Sequence, residues 1–150
     1  MAYSFRHSAG FGKRIEFYVI GLMLKEGLDC YIPLVDDDAI DVVIKKEDGV
    51  FIEVQIKARS NDVIEGDSAL FAALTHEAER KNYYFVFYSE RLNKIWIMSS
   101  AEFLKEAVTN KNGKNKGKRS IWFNGRKQGK EYAKEKYIQY EDNSFSRFKN

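Results

Sequence analysis

An apolar run, residues 39–46, and an alternating run, residues 50–58, meet at Glu47-Asp48-Gly49, and no other feature restricts the fold of this chain as tightly. In the second run Val50, Ile52, Val54 and Ile56 fall on one face of a strand, and Phe51, Glu53, Gln55 and Lys57 fall on the other, because side chains alternate across the pleat. Gly49 supplies the left-handed residue that a three-residue hairpin loop requires, which pairs Lys46 with Val50 and makes opposed positions sum to 96. Asp41 then falls opposite Gln55, with β-carbons roughly 5 Å apart on a shared face, and Lys57 stands one pleat further along. A carboxylate and an amide oxygen at that spacing can ligate a hard divalent cation such as Mg²⁺. A sheet face turned to solvent would give the same alternation, so both readings stand on this strand alone.

The flanking elements follow from periodicity. Phe11, Ile15, Val19, Leu22 and Met23 recur at steps of three and four between Gly10 and Gly27, with Phe17, Ile20 and Leu24 widening the stripe. The pattern predicts a helix buried along much of its girth and stopped at Gly27. Residues 29–35 read as a strand whose Pro33 suits an edge or a bulge, and Asp36 to Asp38 read as a turn. A helix is expected over 69–81 on the spacing of Phe71, Leu74 and Ala78. Residues 83–89 and 94–98 form a second hairpin, and a short helix follows that is capped by Ser99 or Ser100 and ends near Val108. Residues 110–118 form a biased, mobile basic loop. Ile121 to Phe123 make a last short strand before a basic, aromatic tail. The expectation is one α/β domain over 1–150, a mixed central sheet flanked by helices. Its core is about 10–108, and the basic extension spans 110–150.

Composition narrows the class. A chain of 150 residues with 44% hydrophobic content suits one core, and its longest apolar stretches fall short of the roughly 18 residues that span a bilayer. The first ten residues lack the apolar centre of a secretory signal, so a cytoplasmic protein is expected. Cys30 is the only cysteine, which excludes an intramolecular disulfide and a cysteine-built zinc site. His7 and His76 have no second histidine at ligand spacing and read as surface or core residues. Residues 1–110 hold 13 Lys and Arg against 18 Asp and Glu, a net of −5, whereas residues 111–150 hold 12 against 4, a net of +8. An acidic body with a basic C-terminal quarter suggests a polyanion held by one part and processed by another.

Ile40-Asp41-Val42-Val43, the turn, and Ile52-Glu53-Val54-Gln55-Ile56-Lys57 together resemble the PD-(D/E)xK nuclease superfamily, which includes restriction endonucleases and archaeal Holliday junction resolvases. Its pattern has an acid opening the second strand, then an acid or sometimes glutamine, an apolar residue and a lysine on the third. A glutamate on the preceding helix completes it, and Glu16 fills that place. The proline that often precedes the first acid is absent, and Gln55 replaces the commoner acid. The resemblance implies a restriction-endonuclease-like fold and a metal-dependent DNA endonuclease. Asp41, Gln55, Lys57 and Glu16 would be catalytic. Asp41, Gln55 and Glu16 would hold Mg²⁺, for which Mn²⁺ can substitute, and Lys57 would orient or deprotonate the attacking water. DNA is the expected partner, with RNA open, and a homodimer is expected if both strands are cut. Lys114, Lys116, Lys118, Arg119, Arg126 and Lys127 are the expected phosphate contacts, with Trp122, Phe123 and Tyr132 able to stack on bases. Because Gln55 is neutral, a catalytically silent nucleic-acid-binding module is the alternative. A protein-interaction domain that binds no metal is the third reading.

Overall fold

The computed structural model describes residues 8–149, so His7 lies outside the described residues. Helix α1 (Ser8–Lys25) buries Phe11, Ile15, Val19, Ile20 and Met23. It ends where Gly27 takes a positive φ of 88° and the Leu28 amide turns back to the Met23 carbonyl at 3.1 Å. The buried stripe is narrower than expected: Phe17 and Leu24 are 51% and 56% exposed, so the helix lies on the sheet by one face only.

Strands β1 (Asp29–Tyr31), β2 (Val42–Lys45) and β3 (Phe51–Arg59) form an antiparallel meander. β1 is an edge strand, as Pro33 suggested, but it stops at Tyr31, and Ile32, Leu34 and Val35 are exposed beyond it. At the hairpin tip Lys46 donates to Val50, and Gly49, at φ 85°, donates to Lys46, which is the expected three-residue loop.

The connection to the next sheet strand departs from expectation. Residues 69–81 are not a helix: β4 (Leu70–Leu74) is a strand, followed by irregular chain. Its pairing shifts between Phe71 and Leu74, where Ala73 takes φ 60°. A bulge puts residues three apart on one face of a strand. Phe71 and Leu74 therefore share a face at a spacing that imitates a helical one.

β5 (Tyr83–Ser89) pairs parallel with β3, and β6 (Lys94–Ser99) closes a five-stranded mixed sheet in the order β1-β2-β3-β5-β6. Alternation along β5 divides the core. Val86 and Tyr88 join α1, Val42, Ile44, Val54 and Ile56 on one face; Tyr83, Phe85 and Phe87 look the other way. Ser99 caps α2 (Ser100–Glu106) by accepting the Glu102 amide, while the Glu102 carboxylate accepts the Ser99 amide.

β7 (Val108–Thr109) and β8 (Arg119–Trp122) join β4 in a smaller sheet that covers the second face, its Phe71, Ile121 and neighbouring Phe123 packing on Phe87 and Trp96. β9 (Asn124–Lys127) and β10 (Lys130–Ala133) form a separate hairpin. Beyond them, two short 3-10 helices bury Tyr137 and Tyr140 in one core and Phe148 in the other. The hydrophobic core thus extends well past residue 108, because the aromatic residues of the C-terminal quarter close both faces of the sheet. Among the described residues no helix is long and apolar enough to cross a membrane.

Candidate active site

The β2–β3 ladder is regular from Lys45 opposite Phe51 to Val42 opposite Val54. One residue further, the Asp41 amide donates to the Val54 carbonyl at 2.8 Å, which belongs to the residue already opposite Val42. The chain therefore leaves the ladder at Asp41 in the manner of a bulge, which re-aims a side chain where pairing ends. The expected register holds through Val42, and the direct Asp41–Gln55 pair is not formed. Instead Asp41 Oδ2 accepts the Ile56 amide at 2.7 Å, taking the place of the missing strand partner. Peptide groups two residues apart on a strand face the same way. The Ile56 carbonyl, like that of Val54, thus faces the gap that β2 leaves.

Charge gathers at this gap. Burial pushes the Asp41 carboxyl up to about 6; the Ile56 amide resists the rise, the Glu16 and Asp36 carboxylates add to it, and the Lys57 ammonium opposes it. Glu16, on the inner side of α1 with a side chain only 14% exposed, keeps Lys13 at 3.5 Å. Its carboxyl is raised too, by burial first, with Lys13 opposing and Asp36 adding. Glu16 and Lys57 therefore both act electrostatically on Asp41, which links the helix to the strand.

Gln55 and Lys57 project on the other side of β3 and line a cleft of about 350 Å³ with Ala39, His76, Arg80 and Tyr83. Asp41 and Glu16 are not among its lining residues; they sit at the strand gap behind it. The Tyr83 hydroxyl lies 2.5 Å from the Ala39 carbonyl and 3.1 Å from Gln55 Oε1, and so bridges the segment entering Asp41 and the strand carrying Gln55. Arg80 lies over the Tyr83 ring at 4.1 Å, donates to the Asp38 carbonyl at 2.7 Å and pairs with Glu53 at 3.3 Å. Glu53 is thereby committed to an ion pair.

His76 stacks on Tyr83 with centroids 5.3 Å apart and puts a ring nitrogen 2.6 Å from Ser100 Oγ. Burial, then the Arg80 and Arg119 cations, lower its pKa, which favours the neutral imidazole. Sequence reasoning missed Arg80, His76 and Tyr83 as cleft residues. Only Tyr83 left a signal: it opens β5 in the same alternation as Phe85, which pairs with Gln55.

The donor set suits a hard cation in part. Among the described residues no group of three or more His, Cys, Asp or Glu side chains is gathered to hold a metal. Two carboxyls of raised pKa, the Gln55 amide oxygen and the Ile56 carbonyl are nonetheless all oxygen donors, the kind Mg²⁺ takes. A cation would also relieve the repulsion that Glu16 and Asp36 add to burial in raising Asp41.

Among solved structures, a bacterial homing endonuclease, I-Ssp6803I, matches with a TM-score of 0.55 at 16% identity, over 90% of this chain and 87% of that one. The two share a fold. No protein-family model and no curated protein sequence matches.

On this fold the basic residues divide. Lys114 and Lys116 are exposed in the turn between β7 and β8, which is closed by hydrogen bonds from the Asn110 amide to Lys118 and from the Gly117 amide to Asn110, so it is more built than a biased loop suggested. Lys118 reaches Asn115 at 3.4 Å. Arg119 donates to the His76 carbonyl at 2.8 Å, which ties the basic hairpin to the cleft wall. Arg126 pairs with Glu65 at 3.4 Å, and Lys127 is exposed on β9. Trp122 and Tyr132 are partly exposed, but Phe123 is fully buried against Trp96 and is not available to stack on a base.

Proposed function

We propose that the protein is a metal-dependent endonuclease of the PD-(D/E)xK kind that hydrolyses DNA phosphodiesters in restriction or DNA processing. The observation that carries this reading is the break in the β2–β3 ladder at Asp41. It leaves a half-buried carboxyl of raised pKa that feels both Glu16 and Lys57 and is bonded to Ile56, on the strand that carries Gln55 and Lys57.

Asp41, the Gln55 amide oxygen and the Ile56 carbonyl would hold Mg²⁺ or Mn²⁺, with Glu16 contributing directly or through water. When bound, the ion would polarise the scissile phosphate and lower the pKa of water. Lys57 would orient the attacking water or, as the free amine, take its proton on Nζ, and as the ammonium it would face the negative charge that grows on the phosphoryl oxygens. The Ile56 amide fixes Asp41 Oδ2 and leaves Oδ1 free to face the cation. One such site cuts one strand, so cleavage of both strands would use a homodimer. Lys114, Lys116 and Lys127 would contact the phosphate backbone beyond the cleft.

Supercoiled plasmid incubated with purified protein and Mg²⁺ or Mn²⁺ tests the proposal, with an RNA of matched length alongside. Nicked and linear DNA, abolished by EDTA, is the expected result. DNA retention without cleavage in either metal would favour the silent binding module instead, for which the neutral Gln55, already 3.1 Å from Tyr83, is the supporting observation. Neither binding nor cleavage would favour the protein-interaction reading.

A further inference from the structure

The Tyr83 hydroxyl has one proton and two oxygen neighbours, the Ala39 carbonyl at 2.5 Å and Gln55 Oε1 at 3.1 Å. A phenol donates once and accepts through its lone pairs. The shorter contact takes the proton. Ala39 can only accept, so the hydroxyl then turns a lone pair toward Gln55, and an amide oxygen placed against it would set two acceptors face to face. A half-turn of the side-chain amide exchanges oxygen and nitrogen in nearly the same volume. The Gln55 Nε2 group then donates to Tyr83, and Oε1 swings away from Tyr83.

We infer that Tyr83 is a positioning residue. By taking a hydrogen bond from the Gln55 amide nitrogen it turns the amide oxygen away from the phenol and leaves it available to a cation, and so lets a neutral glutamine serve as a ligand. Arg80, 4.1 Å above the Tyr83 ring and anchored on the Asp38 carbonyl, holds the phenol in place. The Ala39 carbonyl fixes the direction of the hydroxyl proton and ties Tyr83 to the segment that leads into Asp41. This inference rests on the metal-dependent reading given above. It explains how a site with glutamine at this position overcomes its handicap: a carboxylate presents an oxygen whichever way it turns, whereas an amide must be oriented.

Two measurements test it. In the metal-free protein, the nitrogen and proton resonances of the Gln55 side-chain amide are compared with those of Tyr83→Phe. The expected result is a shift of both amide protons' signals and faster exchange of the bonded one; unchanged signals would overturn the orientation whether or not the protein is a nuclease. Next, Mn²⁺ affinity is measured by calorimetry in a cycle of wild type, Tyr83→Phe, Gln55→Glu and the double variant, with thermal melts to confirm folding. Removing a hydrogen bond that orients a ligand weakens metal binding by about tenfold or more. That weakening is expected in the glutamine background, and one under about twofold in the Gln55→Glu background, where no orientation is needed. Equal weakening in both backgrounds would reduce Tyr83 to a tether for Ala39. If wild type binds no Mn²⁺ while the amide signals shift as expected, the metal reading fails and the hydrogen-bond assignment survives.

Discussion

At the scale of single residues, Asp41 is where burial, charge and chain geometry meet. Its carboxyl is raised to about 6, chiefly by burial, while a carboxyl in an unfolded chain titrates near its ordinary value of 3.8. The folded state therefore binds more protons than the unfolded one between those values, and Asp41 lowers stability increasingly as pH rises through that window. Asp41→Asn keeps an oxygen for the Ile56 amide and removes the charge. The metal-free variant should be at least as stable as wild type at pH 8, and the difference should shrink as pH falls below about 6. Urea unfolding at pH 4.5, 6 and 8 checks this, and a variant less stable than wild type at pH 8 would show that the charge is already compensated. The identity of this residue was legible because its spacing to Gln55 and Lys57 is a matter of chain length and turn chemistry. Its exit from the ladder was not, because a bulge at a strand end is decided by what packs around it.

Secondary-structure elements were legible where periodicity was unambiguous. In the 39–58 hairpin the second strand alternates and Gly49 sits at positive φ, and of the loops that glycine allows the three-residue one is formed. β4 is the counter-example, since Phe71 and Leu74 carry a helical spacing that a bulge at Ala73 reproduces in a strand. The pairing that decides between the two, with β8 some fifty residues later, leaves no local trace. Ala73 holds φ 60°, a region that costs a residue with a β-carbon roughly 1–2 kcal/mol. Ala73→Gly relieves that strain at some entropic cost, so a net gain of about 0.5–1 kcal/mol is expected. For a chain of this length it should appear as a rise in Tm of roughly 1–4 °C. A lower Tm would mean that the alanine methyl contributes packing that outweighs the strain. The cleft residues Arg80 and His76 were illegible for a related reason: they lie on irregular chain whose position is set by the Asp38 and Arg119 contacts and not by any local pattern.

For the whole molecule, the division of charge was plain in the sequence, but not that the basic quarter is woven into both cores. Its Tyr137, Tyr140, Phe145 and Phe148 are buried, while Lys111, Lys114 and Lys116 stay largely accessible in the β7–β8 turn. These three lysines are the clean test of phosphate binding, since Lys118 and Arg119 also hold structure. Changing all three to glutamine should weaken DNA binding and flatten the slope of log affinity against log salt by roughly 0.9 for each phosphate no longer neutralised, or about two to three units in total. An unchanged slope would assign the turn to solvent and send the DNA path elsewhere.

If the broken ladder at Asp41 and the adjacent Lys57 form one hydrolytic centre, neither residue can be spared. Single-turnover cleavage of plasmid DNA at saturating Mg²⁺, comparing wild type with Asp41→Asn and Lys57→Ala, puts this to the test. Removing one member of a centre that stabilises the transition state lowers the rate by about 10²–10⁴-fold. Both variants should fall by that factor while staying folded and keeping wild-type DNA affinity. Wild-type rates in either folded variant would contradict a shared centre.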